Sequence, residues 1–140
     1  MLQRNKIHIA EIQETHIPHD QNYKYNGYRI IASAATQETY INKQPTKGLP
    51  IAGVAILIHE ELEHHIVNIK RTNERIIQVA LHSKNSHTPL TILCTYAPHS
   101  GKTKMEKKDH WEEVKNQIAE IPNKHITICP TVKYTSSPTI

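Results

Sequence analysis

At 140 residues, with 37% hydrophobic and 21% charged side chains, the chain suits one domain around a single core, which excludes two domains and wholesale disorder. A net charge of +4, with 11 histidines in reserve, is compatible with a polyanionic partner such as nucleic acid, while Cys94 and Cys129, lacking Cys-x-x-Cys spacing, favour buried free thiols over a disulfide framework or thiolate zinc site. No apolar run approaches the roughly 20 residues that span a bilayer, and Met1-Leu2-Gln3-Arg4-Asn5-Lys6 leads into no signal-peptide core, so the expectation is an intracellular protein, in nucleus or cytoplasm, not secreted and with no membrane partner.

In chain order, Lys6 to Ile12 sets Ile7, Ile9 and Ala10 close together and runs into Gln13-Glu14-Thr15, the pattern of a buried strand with polar residues at its exit. His16 to Asn22 reads as loop, and Tyr28 to Ser33 as a second strand after the punctuating Gly27. Thr36 to Pro50 is polar and carries Pro45, Gly48 and Pro50, which predicts a surface loop. Ala52 to Ile58 is the most apolar stretch and predicts a central strand, with Gly53 marking a close backbone approach or a bulge.

Ile66 to Lys70 and Arg75 to Leu81 predict a hairpin closed by the four-residue loop Arg71-Thr72-Asn73-Glu74. The chain then turns back through Ser83-Lys84-Asn85-Ser86-His87 into Leu90 to Tyr96. Alternation there puts Leu90, Ile92 and Cys94 on one face and Thr91, Leu93 and Thr95 on the other. One helix is predicted, because Thr103 and Glu106 form a capping box and Trp111, Val114, Ile118 and Ile121 recur at spacings of three and four before Pro122. Ile126 to Cys129 predicts a last strand. Residues 130–140 show no apolar period and are expected to form a divergent, disordered tail.

Two positions stand where chemistry is done. Glu14 leaves a carboxylate at the end of a buried strand, the placement of a hard-cation ligand, and a solvated charge or salt-bridge partner is the plainer reading of the same residue. Tyr96, in Thr95-Tyr96-Ala97-Pro98-His99, ends a strand with a phenol suited to donate to a phosphate oxygen, although many such tyrosines only cover the rim of a core.

The order and spacing of these pieces carry a resemblance. From about Lys6 to Cys129 the chain resembles the endonuclease domain of non-LTR retrotransposons, of the endonuclease–exonuclease–phosphatase superfamily to which apurinic-site repair endonucleases also belong. The matching pieces are Ile7 to His16, Gly53-Val54-Ala55-Ile56-Leu57, Arg75-Ile76-Ile77-Gln78-Val79, Tyr96-Ala97-Pro98-His99 and Trp111-Glu112-Glu113-Val114. The resemblance implies a Mg²⁺- or Mn²⁺-dependent DNA phosphodiesterase, with Glu14 as the metal ligand and Tyr96 holding the scissile phosphate.

The departures are specific. The family's opening strand, with its active-site Asn, and the helix after it have no counterpart, which is expected to leave Ile7, Ile9 and Ile12 poorly covered. Pro130-Thr131-Val132-Lys133 stands where the family has Gly-Asp-Phe-Asn, whose Asp activates the attacking water, and the family's later Asp and final Ser-Asp-His are missing. Hydrolysis needs base, positioned water and electrostatic stabilisation acting together, so the expectation is a nicking endonuclease domain truncated at both ends and inactive.

Three further readings accompany it. A non-catalytic nucleic-acid or protein interaction module is the alternative, resting on Lys102, Lys104, Lys107 and Lys108 at the start of the helix as weak phosphate contacts to DNA, although the helix dipole disfavours cations there. A decayed element without selected function is another. His16-x-x-His19 and His59 with His64-His65 raise a zinc site, against which solvated loop histidines are favoured. The fold expected is α/β (α+β), with residues 1–129 forming an incomplete two-sheet sandwich and one long helix.

Overall fold

Side-chain alternation along paired strands sorts the apolar residues of this chain onto three interfaces, and the architecture follows from that sorting. The computed structural model describes residues 8–35, 40–41, 44–45, 52–82, 89–98, 101–121, 126–129 and 134–137. In chain order the strands are β1 (Ile9–Gln13), β2 (Gln21–Tyr25), β3 (Tyr28–Ser33), β4 (Tyr40–Ile41), β5 (Gln44–Pro45) and β6 (Val54–His59). A 3-10 helix, Glu60–His65, leads into β7 (Ile66–Asn73), β8 (Ile76–Leu81), β9 (Leu90–Thr95), helix α1 (Lys104–Glu120), β10 (Ile126–Cys129) and β11 (Tyr134–Ser137).

A five-stranded sheet runs in the order β11-β1-β6-β3-β2 and a four-stranded sheet in the order β10-β9-β8-β7. Pairing is antiparallel throughout except between β9 and β10, which α1 connects as a parallel crossover. The architecture is α+β, with two mainly antiparallel sheets and one main helix. Among the described residues no helix is long and apolar enough to cross a membrane.

Between the sheets lie Ile9, Ile31, Val54, Ile56, Ile58, Ile77, Val79, Leu81, Ile92 and Cys94, an aliphatic cluster with one thiol, and the buried Glu11, Gln13 and Ser33 share its strand faces. The same strands turn their alternate residues outward. Ala10, Tyr28, Ala32, Ala55 and Leu57 form a second cluster on the five-stranded sheet, and Ile76 and Leu93 pack beneath Val114 of α1. The expected faces of the 90–95 strand are therefore observed: Ile92 and Cys94 point into the sandwich and Leu93 lies under the helix. The central position expected for the Ala52–Ile58 stretch is also observed, since β6 sits between β1 and β3 with every residue from Val54 to Ile58 buried.

Several expectations are corrected. Residues 21–25 form a strand, and Asn26 (φ 53°) with Gly27 (φ 85°) closes its hairpin with β3. Both φ values are positive, the geometry of a two-residue primed turn, which Asn-Gly favours. The polar residues Arg71 to Asn73 continue β7, so the β7–β8 turn is Glu74–Arg75 and not a four-residue loop. They do so because Arg71 crosses to the other sheet, donating from Nε to the Ala32 carbonyl at 3.0 Å and from Nη2 to the Gln21 carbonyl at 2.9 Å.

Within the Thr36–Pro50 stretch, β4 and β5 pair as a small ribbon, and its other residues lie outside those described. In the expected tail, Tyr134–Ser137 pairs with β1 at the edge of the five-stranded sheet. A backbone ladder needs no apolar period, so the sequence pattern left this strand unmarked. Ile9 is buried and Ile12 half-buried, against the expectation that both are poorly covered, while Ile7 lies outside the described residues.

Helix α1 has the predicted capping box: Thr103 Oγ1 accepts from the Glu106 amide at 3.1 Å, and Glu106 Oε2 accepts from the Thr103 amide at 2.8 Å. Of the predicted stripe, Val114 and Ile121 are buried and Ile118 packs half-buried on the same cluster, whereas Trp111 is 39% exposed and His110 and Gln117 are buried beside the stripe. Spacings of three and four back from Val114 allow either 110 or 111, and the sheet under the helix accepts polar groups, with Gln78 Nε2 donating to Gln117 Oε1.

Candidate functional site

Glu14 and Tyr96, 82 positions apart in sequence, meet at one end of the sandwich. β1 and β9 lie in different sheets but end at the same side, and the Tyr96 hydroxyl donates to Glu14 Oε1 at 2.5 Å. The strands behind them are tied across the sheets. Gln13 Nε2 donates to the Thr95 carbonyl at 2.5 Å, and the Cys94 thiol to the Ile12 carbonyl at 3.8 Å.

The backbone that aims Glu14 is unusual. Glu14 has φ 55° and His16 φ 57°, left-handed values that cost a non-glycine residue about 1 kcal/mol or more and persist only where neighbours enforce them. The enforcing contacts come from the entry to β6: the Thr15 amide donates to the Gly53 carbonyl at 3.1 Å and the His16 amide to the Ala52 carbonyl at 3.0 Å. Gly53 itself has φ 89°, and a Cβ there would lie 2.4 Å from Thr15 Oγ1. The close approach expected at Gly53 is thus real, and it anchors the turn that carries Glu14.

Arg75 completes the constellation, and sequence reading missed it. Its guanidinium lies 5.2 Å from the Tyr96 ring centroid, Nη1 donates to the Tyr96 carbonyl at 3.3 Å, and the Arg75 carbonyl accepts from the Tyr96 amide at 2.8 Å. The usable signal was its place at the start of a matched segment, beside a hairpin turn whose Asn73 Oδ1 accepts from the Arg75 amide at 2.8 Å. Burial raises the Tyr96 phenol above its ordinary pKa, and the hydrogen bond and negative charge of Glu14 push the same way, while Arg75 opposes them. Tyr96 therefore stays protonated, a neutral donor held against a carboxylate.

A Mg²⁺ or Mn²⁺ ion takes one or two protein carboxylates, with waters and substrate oxygens completing its shell. Glu14 fits as one such hard donor, half-buried at a strand exit. Among the described residues no group of three or more His, Cys, Asp or Glu side chains is placed to hold a metal. His16 and His19 are exposed, His59 Nδ1 accepts from the Glu61 amide at 3.2 Å to cap the 3-10 helix, and the His64 and His65 ring centroids lie 4.0 Å apart. Of the four lysines, Lys104 and Lys108 are exposed and Lys102 and Lys107 half-buried, with Lys108 Nζ 3.9 Å from Glu112.

No protein-family model matches the chain, and no curated protein matches it.

Proposed function

We propose that the chain is a phosphodiesterase domain of the endonuclease–exonuclease–phosphatase type, related to retrotransposon endonucleases, in which the Glu14–Tyr96 pair is a surviving half of a DNA-nicking site. The observation that carries this is the hydrogen bond between two residues 82 positions apart, each of which the resemblance assigns to the site. The left-handed backbone at Glu14 supports it, since strain of that kind collects at functional sites. The α+β arrangement of two facing sheets with a helix outside them is compatible with this fold type.

In this reading Glu14 is the residue that holds a divalent cation, which when bound supplies Lewis-acid stabilisation of phosphoryl charge. Tyr96, protonated and half-buried, turns its donor from Glu14 to a non-bridging phosphate oxygen, and Arg75 behind the ring holds the phenol's orientation. Neither Glu14 nor Tyr96 can position and deprotonate an attacking water at the same time as its own task, and Pro130-Thr131-Val132-Lys133 provides no carboxylate for it. The chain is therefore expected to bind metal weakly and not to turn over.

Titration with Mn²⁺ tests the assignment without requiring activity. Paramagnetic broadening of the Thr15 and Tyr96 amide signals, lost in Glu14→Ala, is the expected result. Broadening unchanged by that substitution, or absent at this end of the sandwich, rejects Glu14 as the ligand.

The net charge of +4 and the exposed Lys104 and Lys108 favour a second reading, non-catalytic DNA binding through phosphate contacts. Such binding weakens steeply with salt. Affinity for duplex DNA that is absent at low salt, or indifferent to salt, removes it.

A further inference from the structure

Helix α1 is sorted by charge around its axis. Lys104, Lys108, Trp111 and Lys115, spaced four, three and four residues apart, fall in one strip of a helix with 3.6 residues per turn, and Lys107 stands beside it. Glu106, Asp109, Glu113 and Glu120 fall on the other side of the line of buried residues.

The chain uses the two sides differently. Glu106, Asp109 and Glu113 line a cleft beside Arg75, and Glu120 Oε2 lies 3.1 Å from Lys70 Nζ on β7. Glu106 also closes the helix cap, and Glu113 Oε1 accepts from Gln117 Nε2 at 2.7 Å. The lysine strip has no residue among those that line this cleft, and Lys104, Lys108, Trp111 and Lys115 are all exposed. Trp111 is the only tryptophan of the chain. At 1.5 Å of rise per residue, Lys108 precedes it by about 4.5 Å along the axis and Lys115 follows it by about 6 Å. A lone exposed ring is ordinary on a protein surface. The cationic frame sets this one apart, because it suits a ligand with negative charges on both sides of a flat apolar face.

We infer that this strip is a platform for single-stranded nucleic acid, in which an unpaired base stacks on the Trp111 indole while Lys104, Lys107, Lys108 and Lys115 meet the neighbouring phosphates. The inference rests on the second reading above, from which it takes Lys104 and Lys108, and it is independent of the Glu14–Tyr96 pair. It sharpens that reading in one respect: the ring needs an unstacked base, which a duplex does not offer. An anionic membrane fits less well. Met105 and Trp111 are the large apolar side chains exposed on α1, too few to insert an amphipathic helix, and Met105 stands off the strip. An acidic peptide supplies charge but no flat face for the indole. Lys108 Nζ lies 3.9 Å from Glu112 Oε1 in an exposed pair, which contributes little and gives way to a phosphate.

The test is titration of the full chain, at low salt and without divalent metal, with an oligothymidylate of about 12 nucleotides. Trp111 quenching follows the unlabelled strand and anisotropy a fluorescein-labelled one. The comparisons are a duplex of the same length, an abasic sugar–phosphate oligomer, polyglutamate and phosphatidylserine vesicles. The expected result is saturable quenching by oligothymidylate, with affinity about tenfold or more above that for the duplex or the abasic oligomer. Its logarithm should fall against the logarithm of salt concentration with a slope of about −2 to −3, as for three or four lysines on a single strand.

Trp111→Ala should weaken binding about tenfold or more, and Trp111→Tyr, which keeps a ring, should weaken it less. Lys108→Ala with Lys115→Ala should weaken it and reduce the salt slope by about 1.4. Both lysines are exposed, so this variant keeps the test valid if Trp111→Ala fails to fold. An oligouridylate of the same length distinguishes RNA from DNA as the source by which of the two binds tighter. Duplex bound as tightly as the single strand, or affinity unchanged in Trp111→Ala, overturns the inference and leaves the phosphate reading standing. No binding of either nucleic acid at low salt overturns both. Polyglutamate or vesicles bound as tightly as oligothymidylate, or affinity unchanged in the lysine variant, also overturns the inference.

Discussion

The sandwich interior and the layer under α1 differ in how much of each is apolar. Between the sheets a ten-residue cluster is aliphatic apart from Cys94, and the buried Glu11, Gln13 and Ser33 on the same faces of β1 and β3 lie at its margin, while under the helix only Ile76, Leu93 and Val114 share the space with Gln78, Gln117 and His110. The first arrangement fixes the fold by removing apolar surface from water; the second holds polar groups whose burial is tolerated only with partners. The difference places the aliphatic interior as scaffold and the polar layer, with the strand exits beside it, as the region where binding chemistry is possible.

The largest effects should separate these two layers. Ile56→Ala, at the centre of the inter-sheet cluster, should lower stability by about 2–5 kcal/mol, whereas Val114→Ala should cost about 1–2 kcal/mol, both read from the denaturant midpoint. Equal losses would mean that the helix layer is as much a part of the scaffold as the interior. Gly53→Ala follows, at about 2 kcal/mol, because it combines positive φ with a Cβ set against Thr15. The same variant should alter the Tyr96 ring resonances, since it disturbs the turn that carries Glu14, and unchanged resonances would detach Gly53 from the site.

Gln117→Ala leaves Gln78 buried without its partner and should cost about 1–3 kcal/mol, while Gln78→Leu with Gln117→Leu should come close to neutral. A double variant as damaged as the single one would show that shape, not hydrogen bonding, governs that contact. The smallest effects are pH dependences. His110 has its folded pKa lowered from 6.5, so its contribution is present above that value and is lost as pH falls through the folded pKa. Wild type should therefore lose more stability than His110→Gln on acidification from pH 7.

Tyr96 behaves with the opposite sign. Its folded pKa lies above 10.0, so the contribution is complete below that pH and disappears as pH rises through the folded value. Tyr96→Phe should cost about 0.5–1.5 kcal/mol at neutral pH and show less loss than wild type above pH 10. Parallel pH curves for the two proteins would show that the phenol is not held by Glu14 in solution.

The sandwich interior was legible because aliphatic alternation is a periodic signal: β6, β8, β9 and the cap of α1 fall where pattern and capping chemistry put them. β2 was not, since all its residues but Gln21 are exposed and its only strong mark is the Asn26-Gly27 turn. β11 has no apolar pattern to read, and it pairs with β1. At the site, Glu14 and Tyr96 were marked by their strand exits, and the fold joins them. Arg75 was not marked, because it acts through a ring and a carbonyl and leaves no spacing to read.

The most direct test of the central proposal is to rebuild the site around the two residues. In a chimaera, an active retrotransposon endonuclease supplies the segment from Gly-Asp-Phe-Asn to its final His after Cys129, and its first strand and helix before Lys6. Nicking of supercoiled plasmid should appear, require Mg²⁺ or Mn²⁺, fall sharply in Glu14→Ala and fall less in Tyr96→Phe, which removes one donor and leaves the ligand in place. A soluble, folded chimaera that does not nick, or that nicks equally well with Glu14→Ala, contradicts the account.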